Sequence, residues 1–294
     1  MPPPAPTAVD ETRRGLLYGL AAYGFWGVIP VYWRLLGGVN PLEVLAHRMV
    51  WGLSALGVLS AILGVGPDIR AALRDRATVR TLALTGLLLA ANWGVFVYAV
   101  GSGHLLEASL GYFINPLLSV LLGTLVLGER LRRSQQVALG LAALGVGLRA
   151  WSLGGLPWVA LVLAGSFGIY GLLRKTARVA ALAGSTLETL FVAPLGLTYL
   201  LVRAAHGEGA LGHAEGWIQG LLLGTGLVTV LPLIWFSAAA RRLPLSTVGF
   251  LQYIAPTIQF VTAVLIFREP FAAHDLGAFA CIWAGLAVFA VGAR

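Results

Sequence analysis

The chain has 294 residues, of which 58% are apolar and only 11% charged, with a mean hydropathy of +0.85. So little charged surface excludes a water-soluble globule and directs the chain into a lipid bilayer. The formal charge of +8 does not signal nucleic acid, because the basic residues fall between apolar runs rather than in one patch interleaved with aromatics.

The first fourteen residues, MPPPAPTAVDETRR, are proline-rich and polar, and read as a disordered tail rather than a signal peptide. Apolar runs between charged or glycine and proline punctuation then predict ten spanning helices. The first, 15–35, carries Pro30 and an aromatic cluster of Tyr23, Phe25, Trp26, Tyr32 and Trp33. The second, 43–64, places Glu43 and His47 four residues apart on one face and carries Arg48. Asn92 and Trp93 lie in the third, 79–100, which meets the fourth, 104–127, through a tight link at Ser102 and Gly103. The fourth holds Glu107, Tyr112, Asn115 and Pro116 and exits at Glu129. A fifth, 134–150, and a sixth, 156–174, follow, and the seventh, 184–203, contains Glu188. The eighth, 216–238, has a ladder of Gly216, Gly220 and Gly224, which points to close helix packing, and carries Pro232 and Trp235. The ninth, 245–267, holds Gln252, Tyr253, Pro256 and Gln259 and exits at Glu269; the tenth, 273–292, contains the one cysteine, Cys281, so no intramolecular disulfide forms.

Pro116 and Glu129 recur 140 residues later as Pro256 and Glu269, and GYFINPLLSVLLGTLVLGER (111–130) parallels LQYIAPTIQFVTAVLIFREP (251–270). The chain therefore reads as a duplication of a five-helix unit, 15–150 and 151–294. An odd number of helices makes the second copy enter from the opposite side, so the copies are inverted. Weaker echoes agree: Gly24 and Gly27 against Gly165 and Gly168, and Phe96 against Phe236. Of the twenty Lys and Arg, fifteen fall on the side of the N-terminus, while Arg34, Arg149, Arg203 and Arg268 fall on the other. That bias predicts both termini in the cytoplasm, in a cell or inner membrane.

Inverted repeats offer two near-equivalent packings, one open to each side, and binding residues are expected at interrupted helices near the midplane. Pro116 and Pro256 sit about halfway along their spans and displace the carbonyls of Tyr112 and Gln252. In hydrocarbon an orphaned carbonyl costs several kcal/mol, so a neighbouring helix, a water or a substrate must meet it. The expected substrate lining is therefore Tyr112, Asn115, Pro116, Gln252, Tyr253, Pro256 and Gln259, with Trp26, Asn92 and Trp93 facing them. Trp33, Trp151, Trp158 and Trp217 lie at helix ends, as an interfacial aromatic belt requires.

A charged residue inside a span costs about 3 kcal/mol and demands a reason. Arg48 and Glu188 lie at similar depths from opposite surfaces, which argues against a bridge between them; Glu107, closer in depth to Arg48, is the expected partner. Arg48, Glu107 and Glu188 are the gating or coupling candidates, with snorkelling the alternative for Arg48. Glu43 and His47 lack a third ligand, so no metal site is expected. No phosphate-binding or dinucleotide glycine motif occurs, and no cofactor is expected.

At AYGFWGVIPVYWRLL, LAHRMVWGL, ANWGVFVYAV, EASLGYFINPLLSVLLG and GFLQYIAPTIQF the chain resembles the RarD branch of the EamA transporters, in the drug/metabolite transporter superfamily. The resemblance covers nearly the whole chain. It implies an all-α, polytopic membrane protein of ten transmembrane helices arranged as two inverted five-helix repeats. It also implies cytoplasmic termini and passage of small metabolites through a central cavity. The label "chloramphenicol-sensitive" attached to such proteins names no settled substrate. The reading is a secondary transporter of small polar or amphipathic metabolites or drugs. A non-transporting membrane scaffold, or an intramembrane transferase, is the alternative. The expected partners are a small-molecule substrate and the lipid bilayer, with pairing to a second copy left open.

Overall fold

The structure, a computed structural model, describes residues 8–101, 105–151, 158–266 and 273–292. Each apolar run folds as a helix because hydrocarbon offers no partner for a free backbone N–H or C=O, and the helix satisfies both within one segment. In chain order these are α1 (Ala8–Leu35), α2 (Pro41–Ile62), α3 (Gly66–Arg74), α4 (Arg76–Gly101), α5 (Leu105–Leu125), α6 (Arg133–Trp151), α7 (Trp158–Thr176), α8 (Ala181–Ala205), α9 (Gly216–Arg242), α10 (Leu245–Gln252), α11 (Ile254–Val261) and α12 (Ala273–Gly292). The protein is an all-α, polytopic membrane protein. Among the described residues α1, α2, α4, α7, α8 and α9 are long and apolar enough to cross a bilayer. Side chains such as Leu17, Ile62, Leu125, Leu195 and Leu201 remain exposed on the outer faces, as suits a lipid solvent.

The sequence boundaries shift in three places. The disordered tail expected over 1–14 is shortened, since α1 begins at Ala8 and Glu11 bonds Arg242 at the end of α9 at 2.9 Å. The link after the second span is partly helical: α3 fills it, and Asp75 then starts α4 by accepting from the amides of Ala77 and Thr78 and from the Thr78 hydroxyl. These bonds, the Thr78 hydroxyl first, hold the Asp75 carboxyl below its usual range. The two proline helices also differ. α5 runs unbroken through Pro116, whereas the ninth span breaks at Tyr253 into α10 and α11 and ends in a π-helical stretch, Thr262–Ile266. The break falls where Pro256 removes the donor for the carbonyl of Gln252.

Short connections make successive long helices antiparallel, so the bundle has two ends. The basic end gathers the starts of α1, α4, α6, α8 and α10. Packing across the bundle comes in matched pairs. α1 packs on α9 and on α10–α11, and α7 packs correspondingly on α4 and on α5. α2 packs on α9 as α8 packs on α4, while α2 with α8, α5 with α10, and α6 with α12 complete the contacts. Closest approach needs glycine. A Cβ at Gly226 would overlap the carbonyl of Trp51, bringing α9 against α2, and one at Gly86 would lie 2.8 Å from the Glu188 carbonyl, bringing α4 against α8. These two glycines are also 140 residues apart. The predicted ladder does not carry this packing: Gly216 and Gly220 face open space and only Gly224 meets a neighbour, the Tyr32 hydroxyl.

Candidate functional site

At the basic end buried polar groups cluster around one ion pair, with Arg174 Nη1 and one Glu188 oxygen making no hydrogen bond among the described residues. Arg174 of α7 is 0% exposed and Glu188 of α8 is 2% exposed, with Arg174 Nε 3.6 Å from a Glu188 carboxylate oxygen. The guanidinium also donates to the Ser237 hydroxyl of α9 and to the Ala181 carbonyl, both at 3.3 Å. Tyr170 donates to the other Glu188 oxygen at 3.5 Å, and Thr85 of α4, whose hydroxyl donates to the Leu82 carbonyl at 3.0 Å, lies beside this carboxylate. Four helices thus meet on one ion pair with no access to solvent. Gly184 makes room for it, since a Cβ there would overlap the Arg174 guanidinium. Glu129 works beside it as a cap: its carboxylate accepts from the amides of Leu245 and Ser246 at 2.6 and 2.9 Å and from the Ser246 hydroxyl at 2.7 Å. An anion is favoured there by the unpaired N–H groups and dipole of α10. The matching acid, Glu269, lies outside the described residues.

Towards the opposite end, Arg48 of α2 has a different setting. Its Nε donates to the Thr229 hydroxyl of α9 at 3.0 Å, and its guanidinium carbon lies 4.7 Å from the ring centre of Trp33 on α1 and 4.8 Å from that of Trp93 on α4. Tyr112 of α5 is an electrostatic neighbour, itself 6.0 Å from the Phe96 ring. Arg48, Trp33, Trp93 and Tyr112 are all part-buried rather than sealed. The expected partner, Glu107, has its side chain outside the described residues. Among the described residues no carboxylate pairs with Arg48, and Glu188, 140 positions later in the sequence, pairs with Arg174 instead.

The proline region ties helices together. Tyr253 donates to the Phe113 carbonyl at 3.4 Å, Gln259 donates to the Trp26 carbonyl at 2.9 Å, and the Pro116 carbonyl lies where a Cβ on Gly249 would be 2.8 Å away. Asn92 donates to the Leu163 carbonyl and the Ser166 hydroxyl on α7, at 2.9 and 2.8 Å. These are clamps, and their donors are already in use. Asn115 and Gln252 differ: both are buried, their amide oxygens have no partner among the described residues, and the Tyr23 hydroxyl lies beside Gln252 without a well-formed bond. Trp26 packs into an aromatic group with Tyr23, Phe167 and Phe236. Pro256 is buried in α11.

Two residues of the charged sites escaped the sequence. Arg174, at the end of the sixth predicted span, is one of the fifteen basic residues on the side of the N-terminus, yet it is fully buried. Trp33 was assigned to the interfacial belt, yet it turns inward over Arg48; Trp151, Trp158 and Trp217 remain exposed as expected. The 140-residue offset joining Arg48 to Glu188 could have flagged the two positions as counterparts. Glu43 is also buried at the second end, where it accepts from the Ala210 amide and faces His47 at 3.9 Å and Arg203 at 3.8 Å. Among the described residues no three metal-ligating side chains converge.

Residues 13–150 match the model of the EamA-like transporter family. An uncharacterized transporter of Pseudomonas aeruginosa is 46% identical over 286 residues, covering 96% of this chain and 95% of that protein. The protein RarD of Streptomyces exfoliatus is 45% identical, covering 96% of this chain and 89% of its own. A solved crystal structure superposes with a TM-score of 0.70 over 93% of this chain and 96% of its own, at 23% identity, which bears on the fold alone. With helices of spanning length, buried charges at two depths and relatives similar along nearly their whole length, the chain belongs to the EamA-like transporter family, in its RarD branch.

Proposed function

We propose that the protein is an alternating-access transporter of small polar or amphipathic metabolites, built of two inverted five-helix repeats, 15–150 and 151–294. Ten passes are counted by adding α5, α6, α10–α11 and α12 to the six long spans. The observation that carries this reading is the matched packing, in which the contacts that the long helices α1, α2, α4, α5 and α6 make with the second half have counterparts under exchange of the halves, the short α3 against α8 excepted. Such an arrangement has two packings of similar energy, and a solute bound between the halves faces one side or the other. The buried Arg174–Glu188 pair supports a state closed at the basic end, while the part-buried Arg48 supports an approach from the other. The excess of Lys and Arg supports cytoplasmic termini in the cell membrane.

Counterflow tests the reading. Proteoliposomes preloaded with a pool of unlabelled metabolites accumulate at least one labelled member of the pool above protein-free vesicles. If none accumulates over the whole pool, the chain is a membrane scaffold and not a transporter.

A further inference from the structure

We infer that Arg48 binds the carboxylate of a monoanionic solute whose apolar or aromatic body rests among Trp33, Trp93, Tyr112 and Phe96; this rests on the transport reading and names its substrate class. A cation inside a span is costly, and proteins keep one there paired or in use. The basic-end site shows how this chain neutralises such a cation when it is structural: Arg174 faces the Glu188 carboxylate and donates to the Ser237 hydroxyl and the Ala181 carbonyl, and although its Nη1 makes no hydrogen bond among the described residues, its charge is matched. Arg48 receives one neutral acceptor, Thr229, at Nε. Its two terminal nitrogens, the prongs that match a carboxylate in a bidentate fork, have no acceptor among the described residues.

The surroundings select the rest of the ligand. Two indoles within 5 Å stabilise the guanidinium through their ring faces without occupying its edge. They orient the fork and leave it open. Five helices, α1, α2, α4, α5 and α9, supply groups around this point, and its side chains are part-buried rather than sealed. A single charge suits the site better than a phosphate dianion, because one guanidinium neutralises one charge and a second would be desolvated with no cation to meet it among the described residues.

Thermal melting of the detergent-purified protein with phenylacetate, its neutral isostere phenylacetamide, or inorganic phosphate tests the assignment. Phenylacetate is expected to raise the melting temperature with saturation, and the other two are not. Arg48→Met abolishes the shift, Arg48→Lys weakens apparent binding about tenfold by losing the fork, and Thr229→Val weakens it about fivefold by freeing Nε. Should Arg48→Met fail to fold, the lysine and valine variants decide alone. Equal stabilisation by the amide, or wild-type binding in the lysine and valine variants, overturns the proposal. A second arm repeats the titration in nanodiscs of phosphatidylcholine or phosphatidylglycerol. Arg48-dependent competition by the anionic lipid would assign the site to a headgroup phosphate and overturn it too. Counterflow separates the two readings. Transport of a non-carboxylate with no Arg48-dependent carboxylate binding removes this site and leaves the transporter, whereas binding without any counterflow removes the transporter and leaves the site.

Discussion

Arg174 and Arg48 are both guanidiniums within helices of one apolar bundle, at opposite ends, and their partners differ in kind. Arg174 is enclosed by a carboxylate, a hydroxyl and a carbonyl from its own chain and has no exposed surface. Arg48 has two indole faces and one hydroxyl and remains part-buried. The first arrangement closes a space; the second leaves a charged edge available. The difference is sharper because Arg48 and Glu188 occupy positions 140 residues apart in the duplicated pattern, with Gly226 and Gly86 making the close helix approach beside each. Under the proposed repeat, one location thus carries the part-buried cation Arg48 in one half and the anion of the buried pair in the other.

The comparison breaks most directly at the closed pair. Glu188→Gln leaves Arg174 buried without its counter-charge and is expected to destabilise the protein by about 3–5 kcal/mol, read by thermal or denaturant melting. The double replacement Arg174→Met with Glu188→Leu should recover much of this loss. If Glu188→Gln melts like the wild type, the pair does not seal this end. Next in size is Gly226→Ala, whose methyl group must push α9 from the Trp51 carbonyl. It should cost roughly 1–3 kcal/mol and also weaken carboxylate binding at Arg48, because α9 carries Thr229. Glu129→Ala removes the charged cap of α10 at the closed end and should cost about 1–2 kcal/mol, with faster hydrogen exchange at the amides of Leu245 and Ser246. Arg48→Met makes the sharpest contrast with Glu188→Gln. It strands no opposite charge among the described residues, so stability should change by less than about 1 kcal/mol while ligand binding is lost. The smallest effect is on the surface: Asp75, whose carboxyl is held below its usual range, supports the first turn of α4 at neutral pH. That support is present above its unfolded pKa of about 3.9 and disappears as pH falls through the lower folded value, so local exchange in α4 should quicken only in strong acid.

The spans were legible because a bilayer imposes one requirement, continuous apolar length, that composition states directly. The limits of α2, α4, α9 and α12 fall within a few residues of the apolar runs. The break at Tyr253 was legible too, since Pro256 removes a particular donor. That α5 continues through Pro116 was not, because whether a freed carbonyl bends a helix depends on neighbours that sequence does not name. Gln259 and Asn92, expected in the lining, each donate to a neighbouring helix, while Trp33, expected at an interface, and Arg174, read only as one basic residue among many, belong to the charged sites.

Length and hydropathy determined that this is a helical membrane protein, and the recurrence of Pro116 and Glu129 as Pro256 and Glu269 pointed to the repeat proposed above, since these depend only on chain-local chemistry. Which charges neutralise each other was decided by tertiary structure alone. Pairing depends on the depth and rotation of each helix, and close glycine contacts such as Gly86 on Glu188 and Gly226 on Trp51 set those to within an ångström or so, a precision that spacing along the chain does not encode.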